Sequence, residues 1–103
     1  MDTRATEKLI IEALKTIYDP EIPVNIFDLG LIYEVKAKED GSAWVEMTLT
    51  SPNCPVAESL PVEVEQKVVT VEGIETAKVE ITFEPPWDKD MMSEEAKYEL
   101  GML

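Results

Sequence analysis

Leu31-Ile32-Tyr33-Glu34-Val35-Lys36-Ala37-Lys38-Glu39-Asp40-Gly41-Ser42-Ala43-Trp44-Val45-Glu46-Met47-Thr48-Leu49-Thr50 is the stretch whose pattern decides the fold. Leu31, Tyr33, Val35 and Ala37 alternate with Ile32, Glu34, Lys36 and Lys38, and beyond the turn at 39–42 Ala43, Val45, Met47 and Leu49 alternate with Trp44, Glu46, Thr48 and Thr50. A period of two is the period of a strand, so the spacing predicts an antiparallel hairpin with one apolar and one mostly polar face.

Upstream the period changes. Leu9, Ile10, Ala13, Leu14 and Ile17 recur at helical spacing with Glu7, Lys8, Glu12 and Lys15 mostly opposite, which predicts an amphipathic helix of about four turns. Asp19-Pro20 is its expected stop, because the residue before a proline is pushed out of the helical region. Residues 19–30 then form a loop or short turn closed by Gly30.

Downstream, Ala57, Leu60, Val64, Val68 and Val71 predict a second helix over 55–70, with Pro55 suited to its first turn and Pro61 expected to kink or restart it. After Gly73, Ala77, Val79, Ile81 and Phe83 alternate with Lys78, Glu80, Thr82 and Glu84 as a third strand. The tail reads as an irregular segment at Pro85-Pro86-Trp87 and a short helix capped by Ser93, with Glu94 and Glu95 in its first turn. Three strands with one apolar face each call for an α+β, two-layer αββαβ sandwich, with the helices on one side of the sheet and the other side partly open. Trp44 and Ile32 on the open face could mark a homodimer surface or be scattered apolar residues of no consequence. A right-handed crossover can seat the third strand beside either earlier one.

Composition narrows the function. The chain has 103 residues, the size of one domain, and shows neither an apolar run long enough to span a bilayer nor a secretory signal, so a cytoplasmic, membrane-free protein is expected. Nine basic against twenty-two acidic residues give a net charge of -13, which repels a phosphate backbone and makes nucleic acid an unexpected partner. Histidine is absent, which removes histidine-based triads, histidine-ligated zinc and the commonest general base.

The only cysteine, Cys54, falls where the second strand gives way to the second helix. The orphan N–H groups and positive field of a helix start favour a thiolate, which is both a nucleophile and a soft-metal ligand. The alternative is a small buried hydrophobe filling a gap under the loop. Carboxylates and one thiol cannot build a closed thiolate site, so any such site must be shared with a second subunit, a partner protein or a small thiol. Asp28, before Leu29-Gly30, either binds local backbone N–H groups or offers an oxygen ligand. Thr48 and Thr50 are strand formers whose hydroxyls could also donate to a thiolate or to sulfide.

Three blocks read together: residues 19–33 (DPEIPVNIFDLGLIY), residues 47–55 (MTLTSPNCP) and residues 82–87 (TFEPPW). With the tail Met91-Met92-Ser93-Glu94-Glu95-Ala96-Lys97, they resemble the FSCA-domain family of iron-sulfur cluster assembly factors, in particular its stand-alone, SUF-associated SufT-like branch. The resemblance covers nearly the whole chain and implies a single FSCA-like domain over 1–103, with a fold related to the C-terminal domain of NifU. It maps the family's reactive cysteine onto Cys54, its acidic position onto Asp28, and its Asp-Pro-Glu signature onto Asp19, Pro20 and Glu21. The extra C-terminal cysteines of the PaaD type have no counterpart in the chain.

The resemblance implies an accessory factor that assembles or delivers clusters rather than a turnover enzyme. Cys54 would be a transient ligand of iron or of a cluster shared with a partner, with none tightly bound. Assembly proteins and apo-clients are the implied partners, and Thr50, Asp19, Glu21, Glu84 and Trp87 would support the thiol. An acidic adaptor that docks clients without touching metal is the alternative, and a thiol-dependent enzyme is a third reading, weakened by the lack of a second cysteine and of histidine.

Overall fold

The hairpin forms as the alternation requires, and the rest of the chain is built around it. The structure is a computed structural model and describes residues 2–19, 22–49 and 56–101. Helix α1 spans Thr3–Leu14, strands β1 and β2 span Ile32–Ala37 and Ser42–Met47, helix α2 spans Val56–Val68 and strand β3 spans Thr76–Ile81. A 3-10 turn at Lys89–Met91 and a last helix α3, Glu94–Glu99, close the chain. This is the expected α+β sandwich: α1 packs on β1, α2 on β3, and the two helices touch each other. Ile10 and Leu14 of α1, Val45 and Met47 of β2, and Leu60, Val64 and Val68 of α2 form the buried centre. No helix among the described residues is long and apolar enough to cross a membrane.

The sheet order is β1-β2-β3, with β1 antiparallel and β3 parallel to β2. The open choice for the third strand is therefore resolved in favour of β2, the central strand. In the hairpin turn the Asp40 carboxylate accepts from Ser42 Oγ at 2.6 Å and Ser42 N at 2.9 Å, and these bonds hold its pKa below the usual carboxylate value.

Several expectations need correction. Helix α1 is 12 residues long and ends at Leu14, well before Pro20. Thr16 Oγ1 donates to the Ala13 carbonyl at 2.6 Å, a local bond that competes with helix propagation. The chain then folds back on itself, with Ile26 N on the Ile17 carbonyl at 2.9 Å and Asp19 N on the Val24 carbonyl at 3.2 Å. Helix α2 runs unbroken through Pro61. A proline inside a helix costs roughly 3 kcal/mol, but buried Leu60, Val64 and Val68 each contribute roughly 1.5–3 kcal/mol, so packing wins.

A shift of register between Ile32 and Glu34 breaks the alternation in β1, setting Ile32 opposite Met47 and Glu34 opposite Glu46. Ile32 is consequently half-buried and packs against the core rather than standing free on the polar face. Strand β3 stops at Ile81, so Phe83 lies beyond the sheet and is 43% exposed.

Candidate functional site

Both parallel strands end at the same edge of the sheet, and the antiparallel β1 begins there. Past the last residue of β2 the ladder continues: Thr48 N donates to the Leu31 carbonyl at 2.8 Å and Thr82 N to the Met47 carbonyl at 2.9 Å. The segment leading out of β2 is thus held between the start of β1 and the exit of β3. From Leu49 the chain passes to Val56 through the connection that contains Cys54. Cys54 and Thr50 lie outside the described residues, as does Glu21.

The first and third sequence blocks meet at this edge. Trp87 Nε1 donates to the Leu29 carbonyl at 2.8 Å, Tyr33 Oη donates to the Pro85 carbonyl at 2.7 Å, and Ser93 N donates to the Asp28 carbonyl at 2.8 Å. Gly30 adopts φ +89°, and a Cβ there would stand 2.5 Å from the Met91 carbonyl oxygen. The tail therefore lies across residues 28–33 like a strap, and Trp87 is half-buried against the core as a lid. Glu84 is exposed at the start of the strap and bonds Thr82 only through its backbone.

The two aspartates expected at the site, Asp28 and Asp19, hold loops. Asp28 Oδ2 accepts from Asn25 Nδ2 at 2.7 Å, and Asn25 Oδ1 accepts from Asp28 N at 2.8 Å, a reciprocal pair that fixes the 25–30 turn. Asp19 is 7% exposed and its Oδ1 accepts from Ile22 N at 3.0 Å. Among the described residues no three acidic side chains gather into a group that could hold a metal ion. Sequence reading missed Asn25 and Tyr33. The Asn-x-x-Asp spacing could have pointed to Asn25, whereas the Tyr33–Pro85 bond spans 52 residues and left no local signal.

Thr48, expected on the polar face, is fully buried, and its Oγ1 has no hydrogen-bond partner among the described residues. It lies one residue beyond the end of β2, with its N–H on the Leu31 carbonyl. A buried hydroxyl without a partner costs about 1–3 kcal/mol in desolvation. Thr48→Val, which keeps the shape and removes that atom, is expected to raise stability by about 1 kcal/mol, or about 4–8 °C in Tm. A fall in Tm by thermal melting would show that the hydroxyl is satisfied.

The fold and this edge define a small α+β domain with an aspartate-pinned turn and a tryptophan-anchored strap at the edge where the central strand ends, and the sequence that follows that strand carries a single thiol. The chain belongs to the iron-sulfur cluster assembly protein family, whose model matches residues 7–81. It is 56% identical over 98 residues to a Fe-S protein maturation auxiliary factor of Porphyromonas gingivalis, covering 95% of this chain and 93% of that protein. Identity to the Fe-S protein maturation auxiliary factor SufT of Staphylococcus aureus is 40% over 86 residues, covering 84% of this chain and 98% of that protein. The crystal structure of a domain of unknown function from Bacillus anthracis superposes with a TM-score of 0.91 at 36% identity, covering 100% of this chain and 98% of that one. The resemblance to the SufT-like branch therefore holds.

Proposed function

We propose that this chain is an accessory factor in iron-sulfur cluster assembly or delivery, acting through the thiolate of Cys54. The observation that supports it most is near-full-length similarity to relatives named as Fe-S protein maturation auxiliary factors. Cys54 precedes Val56, the first residue of α2, by two positions, and the field of a helix start favours a thiolate. The cluster or iron is cargo. One protein thiolate holds it weakly, so transfer to a client with a full set of ligands runs downhill, with iron exchanging one sulfur ligand for another and no change of oxidation state. Asp28 and Asp19 serve this reading as loop-holding residues, and Trp87 as the anchor of the strap. Assembly proteins and apo-clients of the cytoplasm are the partners.

The test is cluster transfer from a donor to an apo-client in vitro. Transfer by Cys54→Ser is expected to fall to the rate without the protein, and a rate equal to that of the unsubstituted chain sinks the proposal. A second reading, the acidic adaptor, draws on the net charge of -13 and on the engagement of Asp19 and Asp28 in local bonds. If it holds, raising salt weakens client binding while Cys54→Ser leaves it intact.

A further inference from the structure

The face of the sheet that the helices leave uncovered is striped with charge. The strand register sets Lys36 opposite Trp44 and Trp44 opposite Lys78, and in the next outward-facing row it sets Glu34 opposite Glu46 and Glu46 opposite Glu80. The outer members of the rows are tied along their strands, Lys36 to Glu34 at 3.7 Å and Lys78 to Glu80 at 3.2 Å. The central members are not. Glu46 is half-buried with a glutamate opposite it on each neighbouring strand and has no ion pair among the described residues, and Trp44 is half-buried with a lysine opposite it on each side. Like charges abreast on neighbouring strands destabilise a sheet, so the glutamate row is frustrated in the isolated chain. Three of the nine basic residues, Lys36, Lys38 and Lys78, also line one hollow of about 260 Å³ beside Trp44, in a chain of net charge -13.

The two rows lie about 7 Å apart, two residues along the strands. A two-fold axis parallel to the rows and midway between them, in the plane separating two stacked sheets, places the lysine row of each copy on the glutamate row of the other. The face is therefore complementary to itself, the requirement for an isologous interface. We propose that it docks on the same face of a second copy. Lys36 meets the partner subunit's Glu34, Lys78 meets the partner subunit's Glu80, and Trp44 covers the partner subunit's Glu46, toward which its indole N–H can donate. Three strands of six residues give a footprint of roughly 300 Å², small against the roughly 800 Å² per partner of a standard interface. The net charge of each copy adds repulsion beyond the contact. The pairing is thus weak and reversible, at the micromolar-to-millimolar end of the affinity scale. It stands or falls independently of the role of Cys54.

Sedimentation velocity at about 0.15 M salt tests it. The unsubstituted chain is expected to shift from monomer to dimer as its concentration rises through that range. Lys36→Glu with Lys78→Glu makes both rows acidic, and Glu34→Lys with Glu80→Lys makes both rows basic, so each variant alone is expected to stay monomeric. An equimolar mixture of the two is expected to form a heterodimer, a rescue that misfolded variants could not give. A chain that remains monomeric at about 1 mM, the upper end of that range, overturns the proposal. So does a mixture that fails to associate, or a single variant that dimerises as well as the unsubstituted chain.

Discussion

Gly30→Ala is expected to destabilise the protein by about 3 kcal/mol or more, a fall in Tm of at least about 12 °C. Two costs add. Gly30 has φ +89°, where a side chain costs roughly 1–2 kcal/mol. The new Cβ would also stand 2.5 Å from the carbonyl oxygen and 2.8 Å from the carbonyl carbon of Met91, both backbone atoms of the 3-10 turn that cannot rotate aside. Either the 28–31 turn or the strap must move, and the strap yields more easily because fewer elements hold it. Its release would break the Trp87–Leu29 and Ser93–Asp28 bonds and expose the indole of Trp87. In a Trp44→Phe background, where Trp87 is the sole tryptophan, emission should shift to the red together with the loss of Tm. A Tm within about 2 °C of the parent would mean that the strap and turn are far less tightly coupled than these distances require.

The second large effect is functional. In cells whose only copy of the protein carries Cys54→Ser, the activity of an iron-sulfur enzyme that depends on it is expected to drop to the level of the gene deletion, while the purified variant melts within about 2 °C of the parent. Serine nearly matches cysteine in size, but its hydroxyl does not ionise at neutral pH and is a poor ligand for iron beside sulfide. Cys54→Ala separates packing from chemistry, because it should behave as Cys54→Ser does in cells and also leave the fold intact. Full activity in Cys54→Ser cells, where the deletion lowers activity, would make Cys54 a packing residue and bring the adaptor reading forward.

The distance between sequence and structure differs from element to element. The strands were legible because Val35, Val45 and Val79 sit at the centre of period-two runs, and neither burial nor register can be satisfied by another period. Asp2 and Ser93 cap α1 and α3 through bonds to N–H groups two or three residues on, so these helix starts are local. Propensity was overruled at Pro61, where the buried stripe of α2 outweighs one missing hydrogen bond. It was also overruled at Ile32, where the bulge in β1 shifts the register. Thr48 shows the same limit: its alternation placed it on the polar face, yet in the folded chain it is fully buried.

By itself, the sequence determined the α+β class, the order of elements, the hairpin, the acidic charge, the single thiol at the junction of β2 and α2, and the family, because each is written in the period, composition or local spacing of the chain. Only the tertiary structure decided that β3 lies beside β2, that the tail straps residues 28–33 through Tyr33, Trp87 and Ser93, and that the lysine and glutamate rows align across the open face. Those features depend on contacts between residues tens of positions apart, whose energies are set by packing and register after the elements have formed and so leave no periodic trace in the chain.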